Sequence, residues 1–92
     1  MLSLTENAVT AIHDMTTKPE LPTGTGIRIA PQQDDPVALV LVMSPGPVPG
    51  DEIIEVNGAR LFLEPRAAEA LNGRSLDVRM DGSGSVVFSL VG

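Results

Sequence analysis

The sequence predicts a mainly β fold: a compact antiparallel arrangement with an N-terminal helix and one short helix. Three observations carry this reading. Two segments near the C-terminus alternate apolar and polar residues with a period of two. An Asn57-Gly58 pair joins two further β-prone runs. A capped apolar stripe with helical spacing precedes the first prolines.

The helix comes first. Thr5 suits the N-cap, because its hydroxyl can accept from an otherwise unpaired N–H of the first turn. Leu4 and Val9 then occupy the positions of a hydrophobic staple, and Ser3 with Glu6 offers an alternative cap. Ala8, Ile12 and Met15 fall at i, i+4 and i+7 and form one apolar stripe. Glu6 complements the positive end of the helix dipole. Lys18-Pro19 and Leu21-Pro22 end the helix, since a residue before proline avoids the α region. Residues 17–25 are expected to form a loop.

Six short strands are expected after it. Residues 26–30 place Ile27 and Ile29 on one face and Arg28 on the other. Residues 31–36 make a polar turn carrying Asp34 and Asp35. Residues 37–43 are apolar on both faces: Val37, Leu39, Leu41 and Met43 on one, Ala38, Val40 and Val42 on the other. Such a strand should be fully covered or paired with another chain. Three prolines and two glycines stiffen the loop at 44–51. Residues 52–56 and 59–64 flank Asn57-Gly58, a pair that tolerates the positive φ values of a type I′ turn. Pro65 opens a short helix over 65–71, where its missing N–H costs nothing, and Asn72-Gly73 stops it. Residues 75–80 direct Leu76, Val78 and Met80 inward and Asp77 and Arg79 outward. Asp81-Gly82-Ser83-Gly84 turns the chain into a last strand with Val86, Phe88 and Leu90 inward.

Composition excludes several classes of function. The 92 residues suffice for one small domain, residues 1–92. The chain holds no Cys, which removes disulfides, zinc fingers, thiol nucleophiles and thiolate-held clusters. The only aromatic rings besides His13 are Phe62 and Phe88, so base stacking is not expected. A net charge of −6 makes the chain acidic and opposes a nucleic-acid surface. No stretch is long and apolar enough to span a membrane, and no basic-then-apolar leader opens the sequence. The expected location is cytoplasmic.

Candidate site residues are few. Gly24-Thr25-Gly26 lacks the preceding strand and following helix of a dinucleotide loop, so it reads as a turn. His13 sits beside the helix stripe without an orienting partner in sequence, which suits a solvated side chain. Asp34 and Asp35 are hard oxygen donors, yet two carboxylates in one turn are too few for a cation cage. Whether a metal ion rests on Asp34, Asp35 or His13 is left open by the sequence. Glu55 and Arg60 should face each other across the Asn57-Gly58 hairpin. No catalytic, cofactor-binding or metal-ligating residue is assigned, and no enzyme activity or cofactor is expected.

Several short motifs together resemble the HesB/IscA-like family, the A-type carriers of iron–sulfur cluster assembly. They are Leu4-Thr5-Glu6-Asn7-Ala8, Gly26-Ile27-Arg28-Ile29, Gly50-Asp51-Glu52-Ile53, Val56-Asn57-Gly58, Leu61-Phe62-Leu63-Glu64-Pro65 and Leu76-Asp77. The resemblance implies a compact β-rich fold with an N-terminal helix, and often a dimer. It also implies one Cys after the first strand and a Cys-x-Cys pair near the C-terminus as metal ligands. The first would fall around residues 34–36, and neither is present in this chain. The resemblance therefore implies a cysteine-less relative with an accessory or protein-interaction role. Its expected contact is an iron–sulfur assembly protein, or a second copy bound through Val37, Leu39, Val40 and Leu41 as a homodimer.

A second resemblance competes. Residues 50–58 are similar to a PDZ motif, and Gly24-Thr25-Gly26-Ile27 could serve as a carboxylate-binding loop. The capped opening helix and the shortness of the 65–71 helix favour the first.

Overall fold

A computed structural model describes residues 1–34, 38–80, 82–83 and 86–91, with only the backbone at Met80. The element order is β1 (Ser3–Leu4), α1 (Glu6–Thr16), β2 (Gly26–Pro31), β3 (Leu39–Ser44), β4 (Glu52–Val56), β5 (Ala59–Leu63), α2 (Pro65–Ala70), β6 (Ser75–Met80) and β7 (Val86–Val91). One sheet has the strand order β1-β6-β7 and the other β3-β2-β5-β4. The mainly β class and both expected helices are present.

The sheets are mixed, which corrects the expectation of antiparallel pairing throughout. β2–β3, β4–β5 and β6–β7 are antiparallel, whereas β1–β6 and β2–β5 are parallel. The β4–β5 hairpin docks on the free side of β2 with β5 inward. Composition dictates that order. Ala59, Leu61, Phe62 and Leu63 of β5 are all buried, so β5 needs cover on both faces. In β4 only Ile54 is buried, so β4 can lie at the edge. β1 is an addition to the six expected strands. Its two residues carry no periodic signal, and it forms only because β6 lies alongside.

The Thr5 cap is as expected. Its hydroxyl accepts from the Ala8 N–H at 3.2 Å and donates to Asp77 Oδ1 at 2.6 Å, tying the start of α1 to β6. Ala8 and Ile12 are fully buried, Met15 is half-buried, and Thr16 returns its hydroxyl to the Ile12 carbonyl at 2.7 Å. The stripe joins Ile27, Ile29, Leu61, Leu63, Leu76 and Val78 in one apolar cluster, so α1 packs across both sheets. At the chain start the Met1 ammonium donates to Asn72 Oδ1.

Asn57 and Gly58 take φ of 48° and 88°, and the register sets Glu55 opposite Arg60. Their side chains meet at 3.1 Å, as expected. Gly26 is required for a different reason. A Cβ there would lie 2.7 Å from the Arg60 carbonyl oxygen and 2.9 Å from the Phe62 ring, so the close approach of β2 to β5 admits no side chain.

Some boundaries differ. β2 runs on to Pro31, which tolerates its missing N–H at a strand end. β5 stops at Leu63, and Glu64 becomes the N-cap of α2. α2 ends at Ala70, and Gly73 supplies the positive φ, 79°, three residues later. Val37, Asp35, Pro36, Asp81 and Gly84 lie outside the described residues, as does the Met80 side chain. β7 is an edge strand, so Leu90 is 37% exposed and Phe88 half-buried rather than enclosed.

Candidate functional site

The chemistry-bearing side chains do not converge. Among the described residues no three His, Cys, Asp or Glu side chains form a group able to hold a metal ion. His13 lies beside the Asn57-Gly58 turn, and a Cβ on Gly58 would lie 2.7 Å from its Cδ2. Its solvated character is therefore partial: one ring edge rests on the hairpin, and Nδ1 is 3.6 Å from Asp14 Oδ1. Asp34 is exposed in the turn that follows β2. The parallel β2–β5 register places that turn and the Asn57-Gly58 turn at opposite ends of the sheet. Asp34 and His13 thus cannot share one ion, and Asp35 lies outside the described residues.

Among the described residues, one part-buried ion pair was missed by sequence reasoning. Arg28 projects from the sheet face turned away from α1 and binds Asp51 with two hydrogen bonds, 2.9 and 3.0 Å. The Asp51 carboxylate also accepts from the Val48 N–H at 2.9 Å, and its side chain is 1% exposed. The Arg28 hydrogen bond holds the Asp51 carboxyl below its usual range, with a smaller contribution from the Val48 N–H, against the opposing effect of burial. This pair pins the proline-rich loop over the outer face. The only early signal was an arginine on the outward side of a β strand, with no way to know its partner 23 residues on.

Around this pair the outer face is apolar. Ladder partners run from Val42 through Arg28 and Phe62 to Ile53. Val42 is 50% exposed and Ile53 54%, while Phe62 is buried. Val40 adds to the patch at the β3 end. β3 closes the sheet on this side, so its outer backbone groups pair with no strand among the described residues. The expected partner surface divides here. Val40 is exposed, but Leu39 and Leu41 point to the opposite face and pack against the core, because side chains alternate along a strand. Leu39 and Leu41 are thus not part of the outer surface, and Val37 is undescribed.

The same topology removes the peptide-capture alternative. Strand addition beside Gly24-Thr25-Gly26 would need a free edge on β2. β2 is already flanked by β3 and β5. α2, at six residues, packs on β2 and is too short to line a peptide groove along a strand.

Comparison with solved structures decides the fold. SufA of Escherichia coli, involved in biosynthesis of iron–sulfur clusters, superposes with a TM-score of 0.77. That match covers 97% of this chain and 82% of SufA, at 26% identity. The chain has the A-type iron–sulfur carrier fold. IscA, in its form with a [2Fe–2S] cluster, shares that fold with a TM-score of 0.65 at 22% identity, covering 98% of this chain and 83% of IscA. No family model and no curated protein sequence matches the chain. The donor set does not fit the cluster named for IscA. A-type carrier architecture is here built without a single thiol, and one His with scattered carboxylates offers no soft ligands in their place.

Proposed function

We propose that this chain is a non-enzymatic accessory protein of iron–sulfur cluster assembly that works by contact with another protein and holds no cluster itself. The observation that carries the reading is the combination of the SufA and IscA fold with zero cysteines. Residues 1–92 act as one domain of this kind, in the cytoplasm. The contact surface is the open edge of β3 with Val40 and Val42 beside it, and it takes either a strand of an assembly protein or a second copy. An antiparallel pairing of two β3 edges would bring the Val40 and Val42 side chains of both copies onto one continuous outer face.

Anaerobic reconstitution with iron and sulfide tests the first half. The protein should stay colourless, and stoichiometric visible absorbance from a bound cluster would overturn the reading. Titration against a cluster-loaded A-type carrier, followed by light scattering, tests the second. A defined complex, or a homodimer, that is lost in Val40→Asp supports it. A monomer that ignores the carrier at high concentration ends it.

A further inference from the structure

β3 and β7 each end their sheet, and together they wall an apolar groove between the two sheets. Leu39 and Leu41 line it from one side, Phe88 and Leu90 from the other, with Leu76 also in the lining; its volume is about 250 Å³. A second recess of about 290 Å³ continues it, sharing Leu39, Leu71 and Leu90, and adds Arg66 and Arg74. The two arginines therefore stand at one end of an otherwise apolar channel.

Among the arginines, charge singles out that end. The chain carries a net charge of −6, and Arg28, Arg60 and Arg79 are each paired with a carboxylate. Arg74 makes no ion pair and no side-chain hydrogen bond among the described residues. Arg66 reaches Glu64 only at 3.6 Å and is 78% exposed. Two guanidinium forks with spare donors, beside a narrow apolar trough, match a molecule with an alkyl chain and a terminal anion. The apolar part, about 250 Å³, lies below the roughly 300–1,000 Å³ of pockets for drug-sized ligands and has room for one alkyl chain.

We propose that this groove binds a linear medium-chain carboxylate, its alkyl chain along Leu39, Leu41, Phe88 and Leu90 and its carboxylate at Arg66 and Arg74. The site lies on the face of β3 opposite Val40 and Val42.

Calorimetric titration with octanoate, decanoate and dodecanoate, each below its micelle-forming concentration, tests this. Binding should be saturable at one per chain. Affinity should rise by up to about fourfold per added methylene and level off once the groove is full. Decanol should bind more weakly than decanoate. Arg74→Gln should weaken decanoate about tenfold, the value of a lost charged hydrogen bond, and leave decanol unchanged. Leu90→Trp, at a position that lines both recesses, should block both, and Arg74→Gln, an exposed substitution, keeps the test valid if that variant does not fold. An acetylated Leu-Val-Leu peptide with a free C-terminus is the competing source of the same chemistry. No saturation with any chain length, equal affinity for acid and alcohol, indifference to Arg74→Gln, or preference for the peptide would each overturn the proposal.

Discussion

Arg28 and Asp51 are joined by two hydrogen bonds of 2.9 and 3.0 Å, on the sheet face opposite the core, with Asp51 almost wholly enclosed. One arginine thereby fixes the entry to β4 and the proline-rich loop before it. Asp51→Ala should destabilise the protein by about 2–3 kcal/mol, because it strands Arg28 and frees the Val48 N–H. Pairing Arg28→Met with Asp51→Leu should recover much of that loss, since the stranded charge is gone. Urea midpoints of the three variants measure both effects.

Acid should act through the same carboxylate and through Asp77. The Thr5 hydroxyl, chiefly, holds Asp77 below its usual range, as Arg28 does Asp51. A lowered carboxylate binds protons less readily folded than unfolded. Its contribution is therefore complete above the ordinary value near 3.8 and is lost as pH falls through the lowered value. Stability should stay level down to that region and then drop. Asp51→Asn should be less stable at neutral pH yet lose less on acidification, which a series of urea midpoints against pH would show.

Thr5→Ala removes the cap acceptor for Ala8 and the donor to Asp77 in one change. A loss of about 1–2 kcal/mol is expected. Thr5→Ser should retain most of the stability, because both hydrogen bonds use the hydroxyl alone. Thermal unfolding followed by circular dichroism separates the two.

Gly58 bears a double constraint. Its φ is +88°, and an added Cβ would lie 2.7 Å from the His13 ring. Gly58→Ala should cost about 1–3 kcal/mol from backbone strain, and more from the ring contact. In a His13→Ala background the same change should cost less, leaving only the strain. A double-mutant cycle gives the difference directly.

Val40→Asp should leave a folded protein. Val40 is 39% exposed on an edge strand, so the new charge remains hydrated. Native-like circular dichroism with a cooperative melt is the expected result, and unfolding would show that this face is covered.

What could be read in the sequence was local. Asn57-Gly58, the Thr5 cap and the Ala8–Ile12 spacing each act within a few residues, and all three stand in the structure. Long-range pairing was hidden. Nothing near Ser3-Leu4 announces β6, and nothing near Ile27-Ile29 announces a parallel β5, because a hairpin and a proline-rich loop intervene. The run at residues 37–43 was expected to be covered or paired with another chain, and within this chain its outer side chains Val40 and Val42 stand exposed. Of the candidate donors, topology separates His13 from Asp34 by the length of a sheet. The arginine pair at the groove was invisible, since Arg66 and Arg74 carry no signal until α2 and β6 bring them to Leu39 and Leu90.

Thr5 and Asp77 are 72 positions apart. A nascent chain that has emerged only as far as α2 thus lacks the strand that seats β1 and anchors the first turn of α1. During synthesis the apolar side of α1 must wait, uncovered on one flank, for β6 to emerge. Completion of the fold is for this reason a late event, and a ribosome stalled before β6 should expose a sticky helix to chaperones.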